Sequence, residues 1–406
     1  MSTTKGLAPP ELLGAAQSQE TDGYRRLTWS YDGSCLIAQS ASHKLQTSIL
    51  PSPCTVSSPP QPLPLSTALS SSSTLRSFVP WPYFTLTEPS TTLLLHSSTH
   101  MPIQLIRAFP FASHPNHPPP PTATYPLILP HSEAFLPAHA LTFTHHGAGI
   151  LAAIGREGGG LAAFDVTRSG EGPAHWARWP RNWRGVEMAR DGAMSGMRGI
   201  GASVRVSFEG LAAVGTLRGC VGLYGGEGWG EGVAAWGLEG EGEGGRVTQV
   251  EWSGCGRYLY VGEGKSDGVR VYDVRVEGRL LGMLVGRGRT SNLVQEFAVE
   301  RTESGEKVWA GGMDGCVRVW EDCHSVNGKM EPSEEFRLHE DPVTSIVFDS
   351  GFTRLATCSA AERGQQEERQ GEADIKETER DPMIKIYSNV QRCTSNVKQD
   401  DEDENT

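Results

Sequence analysis

One feature constrains this chain above all others: a pattern of short strands and polar turns that returns seven times. Each copy has an alternating strand ending in an aromatic, a turn with Asp or Gly, and an apolar strand of small residues. A second polar turn and a further strand ending in an aromatic complete it. The first copy spans 27–38, with Asp32-Gly33 as its hairpin turn. A degenerate second copy, irregular through its prolines, runs from Phe78 through 92–98 to 103–106. The third falls at 138–143, 150–155 and 161–165, and the fourth at 204–208, 211–215 and 221–224. The fifth, at 247–252, 258–262 and 269–273, shows the plainest period-2 alternation.

The sixth copy covers 293–297, 308–312 and 317–321. Its Val317-Arg318-Val319-Trp320-Glu321 strand stands where a Trp-Asp signature belongs. The seventh covers 343–348, 355–359 and, after an interruption, 384–387, with His339 ahead of it as a Gly-His histidine would be, although Leu338 replaces the glycine. A four-stranded blade of this kind leaves an apolar face uncovered, and stacking blades into a ring buries those faces. The expectation is therefore an all-β, seven-bladed WD40 β-propeller over residues 22–390, with a flexible N-terminus at 1–21.

Four stretches break the period. Residues 51–76 are Pro/Ser/Leu-rich, 112–126 proline-rich, 225–245 Gly/Glu-rich and 361–382 charged, so each reads as a flexible surface loop. The run Pro118 to Pro121 suggests extended polyproline. Although 406 residues would ordinarily mean two or three domains, one closed propeller absorbs about 300 residues. The 48 glycines and 21% charged residues favour tight turns over long amphipathic helices.

The net charge of −12 weighs against nucleic-acid binding only if it is evenly spread. Residues 361–406 hold 13 acids against 7 Lys and Arg, a net of −6, so half of the acidity lies there. The tail 391–406, ending Asp400-Asp401-Glu402-Asp403-Glu404, reads as disordered and acidic. Eight cysteines form no CxxC pair, which supports neither a disulfide framework nor a zinc ribbon. With no signal pattern at Met1 to Pro10 and no apolar run of membrane-spanning length, the expectation is a soluble intracellular protein.

Little in the chain points to catalysis. Gly262-Glu263-Gly264-Lys265-Ser266 imitates the end of a phosphate-binding loop, but Leu259 occupies the required first glycine and a strand comes next where a helix should. The pairs His96/His100, His114/His117 and His145/His146 lack further metal ligands at helical spacing. The expectation is a scaffold with no enzymatic activity, cofactor or metal.

The local feature that stands out is Trp176-Ala177-Arg178-Trp179-Pro180-Arg181-Asn182-Trp183-Arg184, between copies three and four. Residues 168–205 carry seven arginines against three acids, a net of +4 in an acidic chain. Guanidinium forks suit phosphates and indole faces suit unstacked bases, so Trp176, Arg178, Trp179, Arg181, Trp183 and Arg184 are candidate contacts for single-stranded RNA. Arg287 and Arg289, before Thr290-Ser291-Asn292, form a second basic turn. The competing reading has the tryptophans as packing anchors and the arginines solvated, or the whole as a protein interface.

Residues 31–37, 102–109 and 138–143, in that order, resemble the telomerase Cajal-body WD-repeat family. So do Gly219 to Tyr224, the Thr290-Ser291-Asn292 turn before Phe297, and the hairpin from Gly312 to Trp320. The resemblance covers about residues 22 to 390 and rests on shared irregular spacings. It implies a non-catalytic RNA-binding scaffold that escorts small Cajal-body or telomerase ribonucleoproteins, working in the nucleus as a monomeric propeller. A yeast relative in the wider family implies the alternative: a protein-interaction propeller assisting pre-mRNA splicing without direct RNA contact. Against the animal proteins of that family, the expectation is a chain without their long low-complexity N-terminal region and with added insertions at 225–245 and 361–382.

Overall fold

The computed structural model describes residues 9–16, 23–50, 60–70, 73–109, 120–129, 133–155, 159–179, 197–238, 245–276, 278–288, 293–302, 305–360 and 383–389. These build seven sheets, each with four antiparallel strands and two with an added parallel edge, one for each sequence copy, arranged as a seven-bladed β-propeller. The inner strands are Tyr24–Trp29, Leu75–Pro80, Ala138–Phe143, Gly201–Val206, Arg246–Trp252, Phe297–Thr302 and Val343–Phe348. The expected insertion at 361–382 and the tail at 391–406 lie outside the described residues.

Alternation along each strand sorts its side chains. In blade one Leu27 and Trp29 are buried between blades, while Arg26 and Thr28 line the central channel. Six of the seven inner strands carry a register shift near their start, as between Tyr24 and Arg26 or Val247 and Gln249. Such a bulge adds an unpaired residue and local twist, and blade six alone pairs without one.

The joints between blades are pinned by buried polar groups. Gln249 of blade five donates its amide to the Phe297 carbonyl at 2.7 Å and accepts from the Phe297 N–H at 2.8 Å. Ser203 accepts from the Val250 N–H, Ser345 accepts from the Leu27 N–H, and Ser77 donates to the Ala138 carbonyl. His339, the residue in the Gly-His position, is buried with its Nε2 2.7 Å from the Thr357 hydroxyl.

Ring closure departs from the expected flexible N-terminus. Glu11–Ala16 is a strand that pairs antiparallel with Ile384–Ser388, completing blade seven from the opposite end of the chain. Its other edge pairs in parallel with Gln61–Pro62, and the Leu63 N–H donates to the Ala15 carbonyl at 3.0 Å. Leu13 and Ala16 enter the core shared with blade one, while Leu12 packs on the opposite side.

Three of the stretches read as loops also supply strands: Ser66–Leu69, Ala123–Tyr125 and Gly232–Gly237 are the outer strands of blades one, two and four. An outer strand is half solvated, so Ser, Gly and Pro are tolerated and alternation is weak.

Two histidines set an acid sensitivity. Burial lowers the pKa of both His96 and His139 to about 4, with the Arg76 charge adding to the effect at His139. The unfolded chain titrates near 6.5, so it takes up protons between pH 6.5 and 4 that the fold refuses. Stability is therefore complete above that window and falls as pH drops through it, by up to about 3 kcal/mol for His96. The thermal midpoint is expected to decline from pH 7 to 5, and His96→Gln should flatten that slope. An unaltered slope would reject the assignment.

A candidate binding face at the channel mouth

Because every inner strand runs from the ring's opposite side toward its first hairpin turn, all seven such turns lie on one face of the ring. In blades one, four and five a serine hydroxyl fixes the turn: Ser30, Ser207 and Ser253 accept from the Cys35, Leu211 and Tyr258 N–H groups at 2.8, 3.0 and 3.0 Å. The residue after each serine differs. Blade one has Tyr31, blade four Phe208 and blade five Gly254, so the turn itself does not require an aromatic.

Two cavities open on this hairpin face. The first, about 510 Å³, lies in the channel and is crossed by ion pairs between Arg26 and Glu296 and between Arg205 and Glu251, each at 3.0 Å. Ser345 donates to the second Glu296 oxygen at 2.7 Å. Burial lowers the Arg26 pKa despite the raising effect of Glu296, whereas at Arg205 burial is outweighed by Glu251 and the pKa rises. The four charges neutralise one another.

The second cavity, about 690 Å³, is a groove over blades one to four, continuous with the first through Thr28, Trp29 and Tyr31. Trp81 meets Phe143 edge-on at 5.1 Å and lies 6.2 Å from Tyr83. The Tyr83 hydroxyl donates to the His146 carbonyl at 3.1 Å. Tyr31, Tyr83 and Phe208 are 66%, 50% and 83% exposed, a rare outlay of aromatic surface on one rim. Among the described residues, no lysine or arginine lines the groove.

The walls are held by carboxylates. Asp32 accepts from the Ser30 and Ser34 hydroxyls and, across the blade joint, from the Leu86 N–H at 3.2 Å. Partial burial works to raise its pKa, but these hydrogen bonds prevail and hold it below the usual carboxylate range. Glu227 of blade four takes the His145 ring Nδ1 at 2.9 Å and accepts from the His145 backbone N–H at 3.0 Å. A preformed aromatic groove flanked by negative charge results.

The residues expected to contact RNA are distributed otherwise. Trp176 and Arg178 lie on the outer strand of blade three, His175–Arg178, with the Arg178 guanidinium 4.2 Å over the Trp176 ring. Trp179 is 6% exposed and donates its indole N–H to the Tyr224 hydroxyl at 2.6 Å, wedged between blades three and four. Arg287 is buried, donating to the carbonyls of Gln295 at 2.7 Å and Gly311 at 3.4 Å, and burial lowers its pKa to about 10. In the structure Trp179 and Arg287 serve packing. Arg181, Trp183, Arg184 and Arg289 lie outside the described residues. The outer strand His175–Arg178 ends, and the inner strand Gly201–Val206 begins, on the side of the ring opposite the hairpin face.

The phosphate-loop imitation is strand and turn, Tyr258–Gly264 and then Lys265 at positive φ. Among the described residues one group, Asp314, Cys316 and Glu335, has metal-donor spacing. Arg318 already bridges its two carboxylates, at 2.6 and 3.0 Å, and burial pushes the thiol up to about 11. Cys323 and Cys358 are likewise pushed up to about 12 by burial, as protonated thiols of the core.

Comparison with known proteins agrees with a WD-repeat propeller. No family model matches the chain. It is 28% identical over 305 residues to the guanine nucleotide-binding protein negative regulator 1 of Schizosaccharomyces pombe, covering 72% of this chain and 69% of that protein.

Proposed function

We propose that this chain is a non-catalytic scaffold that holds a protein partner on its hairpin face. One observation carries the reading: Tyr31, Tyr83 and Phe208 stand exposed around a groove that no described Lys or Arg lines. Exposed aromatics at a preformed concavity are the anchors of protein interfaces, whereas a nucleic-acid face needs cations for phosphate. The name of the fission-yeast relative, a negative regulator of a guanine nucleotide-binding protein, also supports a protein ligand.

A photo-crosslinking residue placed at Tyr83 or Phe208 in living cells is expected to give nuclease-resistant protein adducts. The same residue at Arg218, in a turn on the opposite face, should not give those adducts. Nuclease-sensitive adducts, or none, at the groove would reject the reading.

A second reading is supported by the Arg178 and Trp176 stack beside the arginine-rich connection, and by the resemblance to telomerase Cajal-body WD-repeat proteins. In it the opposite face contacts a small nuclear or telomerase RNA, and the scaffold escorts that ribonucleoprotein in the nucleus, or assists splicing through protein contacts alone. Binding of a structured RNA that weakens with salt and is lost in Arg181→Glu with Arg184→Glu would support RNA contact. Salt-independent binding would exclude that site.

A further inference from the structure

The chemistry of the groove narrows its partner. We propose that it takes an extended proline-rich segment of another protein, flanked by arginine or lysine; this rests on the hairpin face being a protein-docking surface.

The shape is that of a polyproline reader. Trp81 lies between Pro80 and Pro82, whose fixed φ angles stiffen the wall, and the Phe84 N–H closes a turn on the Trp81 carbonyl at 3.0 Å. The Asp32 to Leu86 bond and the Tyr83 to His146 bond tie this wall to blades one and three. Little conformational entropy remains to be lost on binding. The Trp81 and Tyr83 rings are 6.2 Å apart, about two residues' rise along a polyproline helix. The pair of rings therefore spans two residues of such a ligand.

The hydrogen-bonding capacity also fits. A polyproline helix has no internal hydrogen bonds, so its carbonyls need outside donors. No described residue accepts from the Trp81 indole N–H, and the Tyr31 hydroxyl is exposed. A helical ligand, with its carbonyls already used, would leave both donors idle.

Charge decides the flanks. Asp32 follows Tyr31 and Glu209 follows Phe208 in their exposed turns, and Glu227 backs His145, so acids flank the groove just outside its lining. An arginine or lysine at either end of the segment meets a carboxylate and an aromatic face together. Single-stranded RNA could stack on the same rings, but its phosphates would face these acids with no described cation in the lining.

The test uses the full chain and a labelled oligoproline peptide of about eight residues with arginine at each end, tracked by fluorescence anisotropy. Saturable binding is expected, falling roughly tenfold or more in Tyr31→Ala with Phe208→Ala, whose exposed positions should leave the thermal midpoint unchanged. Glutamate in place of the terminal arginines, or alanine in place of the prolines, should abolish most of the affinity. An absence of binding alongside persistent protein crosslinks at Tyr83 would overturn the proline-rich partner and leave the docking face standing. Loss of those crosslinks as well would overturn both. Tighter binding of an amphipathic helical peptide or of single-stranded RNA at the groove would also overturn the proposal.

Discussion

Deletion of residues 1–16 is expected to lower the thermal midpoint by roughly 10 °C and to make the chain prone to self-association. Glu11–Ala16 is held on both edges, by Ile384–Ser388 and by Gln61–Pro62. Its two leucines pack into cores on opposite sides of blade seven. Each leucine side chain contributes about 1.5–3 kcal/mol on burial, so the pair approaches half of the typical 5–15 kcal/mol stability of a folded protein. The ladder bonds to Ile384–Ser388 are lost as well. Differential scanning fluorimetry and size-exclusion chromatography measure the two effects. A truncated protein that melts like the full chain would show that closure does not depend on this strand. Leu13→Asp, which keeps the backbone, should reproduce most of the loss.

Gln249→Leu is the second large effect, at about 2–5 kcal/mol in chemical denaturation. The Gln249 amide satisfies both the N–H and the carbonyl of Phe297, and leucine leaves these two buried groups without partners. A neighbour provides the contrast. Gln295 is also buried at this joint, yet among the described residues neither its side-chain oxygen nor its nitrogen has a partner. Gln295→Met should therefore change stability by less than about 1 kcal/mol or raise it, since it removes two polar atoms already desolvated without return. Equal losses in the two variants would mean that side-chain volume, and not hydrogen bonding, governs the joint.

The blades were legible because the middle strands are buried on both faces and the inner strands alternate, so each must repeat its apolar pattern; Val269–Val271 and Val317–Val319 could scarcely be read otherwise. Outer strands were hidden for the converse reason. Gly232–Gly237 buries only Ala234 fully, with Trp236 laid on Tyr272, so its sequence is mostly glycine and alanine and reads as a loop. The closing strand was missed because pairing between residues 11–16 and 384–388 leaves no local trace in either segment. The channel charges were equally unreadable: Arg26 and Glu296 come together only through curvature of the whole ring.

At the candidate site, a run of Trp and Arg drew attention that isolated aromatics did not. Trp179 and Arg287 prove to be interior residues, the outcome expected when an indole finds a buried hydroxyl and a guanidinium finds backbone carbonyls. A signal for the hairpin face was present in aligned repeats. Ser30-Tyr31-Asp32-Gly33 and Ser207-Phe208-Glu209-Gly210 place an aromatic where Ser253-Gly254-Cys255-Gly256 needs none. A side chain that a turn does not require, recurring in the same register, is a mark of use.

The strand that locks blade seven also imposes an order in time. Residues 11–16 leave the ribosome roughly 370 residues ahead of their partner at 384–388. At about 5–20 residues per second, that delay is roughly 20–80 s. By its end blades one to six stand as an open arc with uncovered apolar blade faces, and the founding strand still lacks its antiparallel companion. Birth on the ribosome is thus the period of greatest exposure for this protein, and a cell that makes it must shelter the unclosed arc until the last blade arrives.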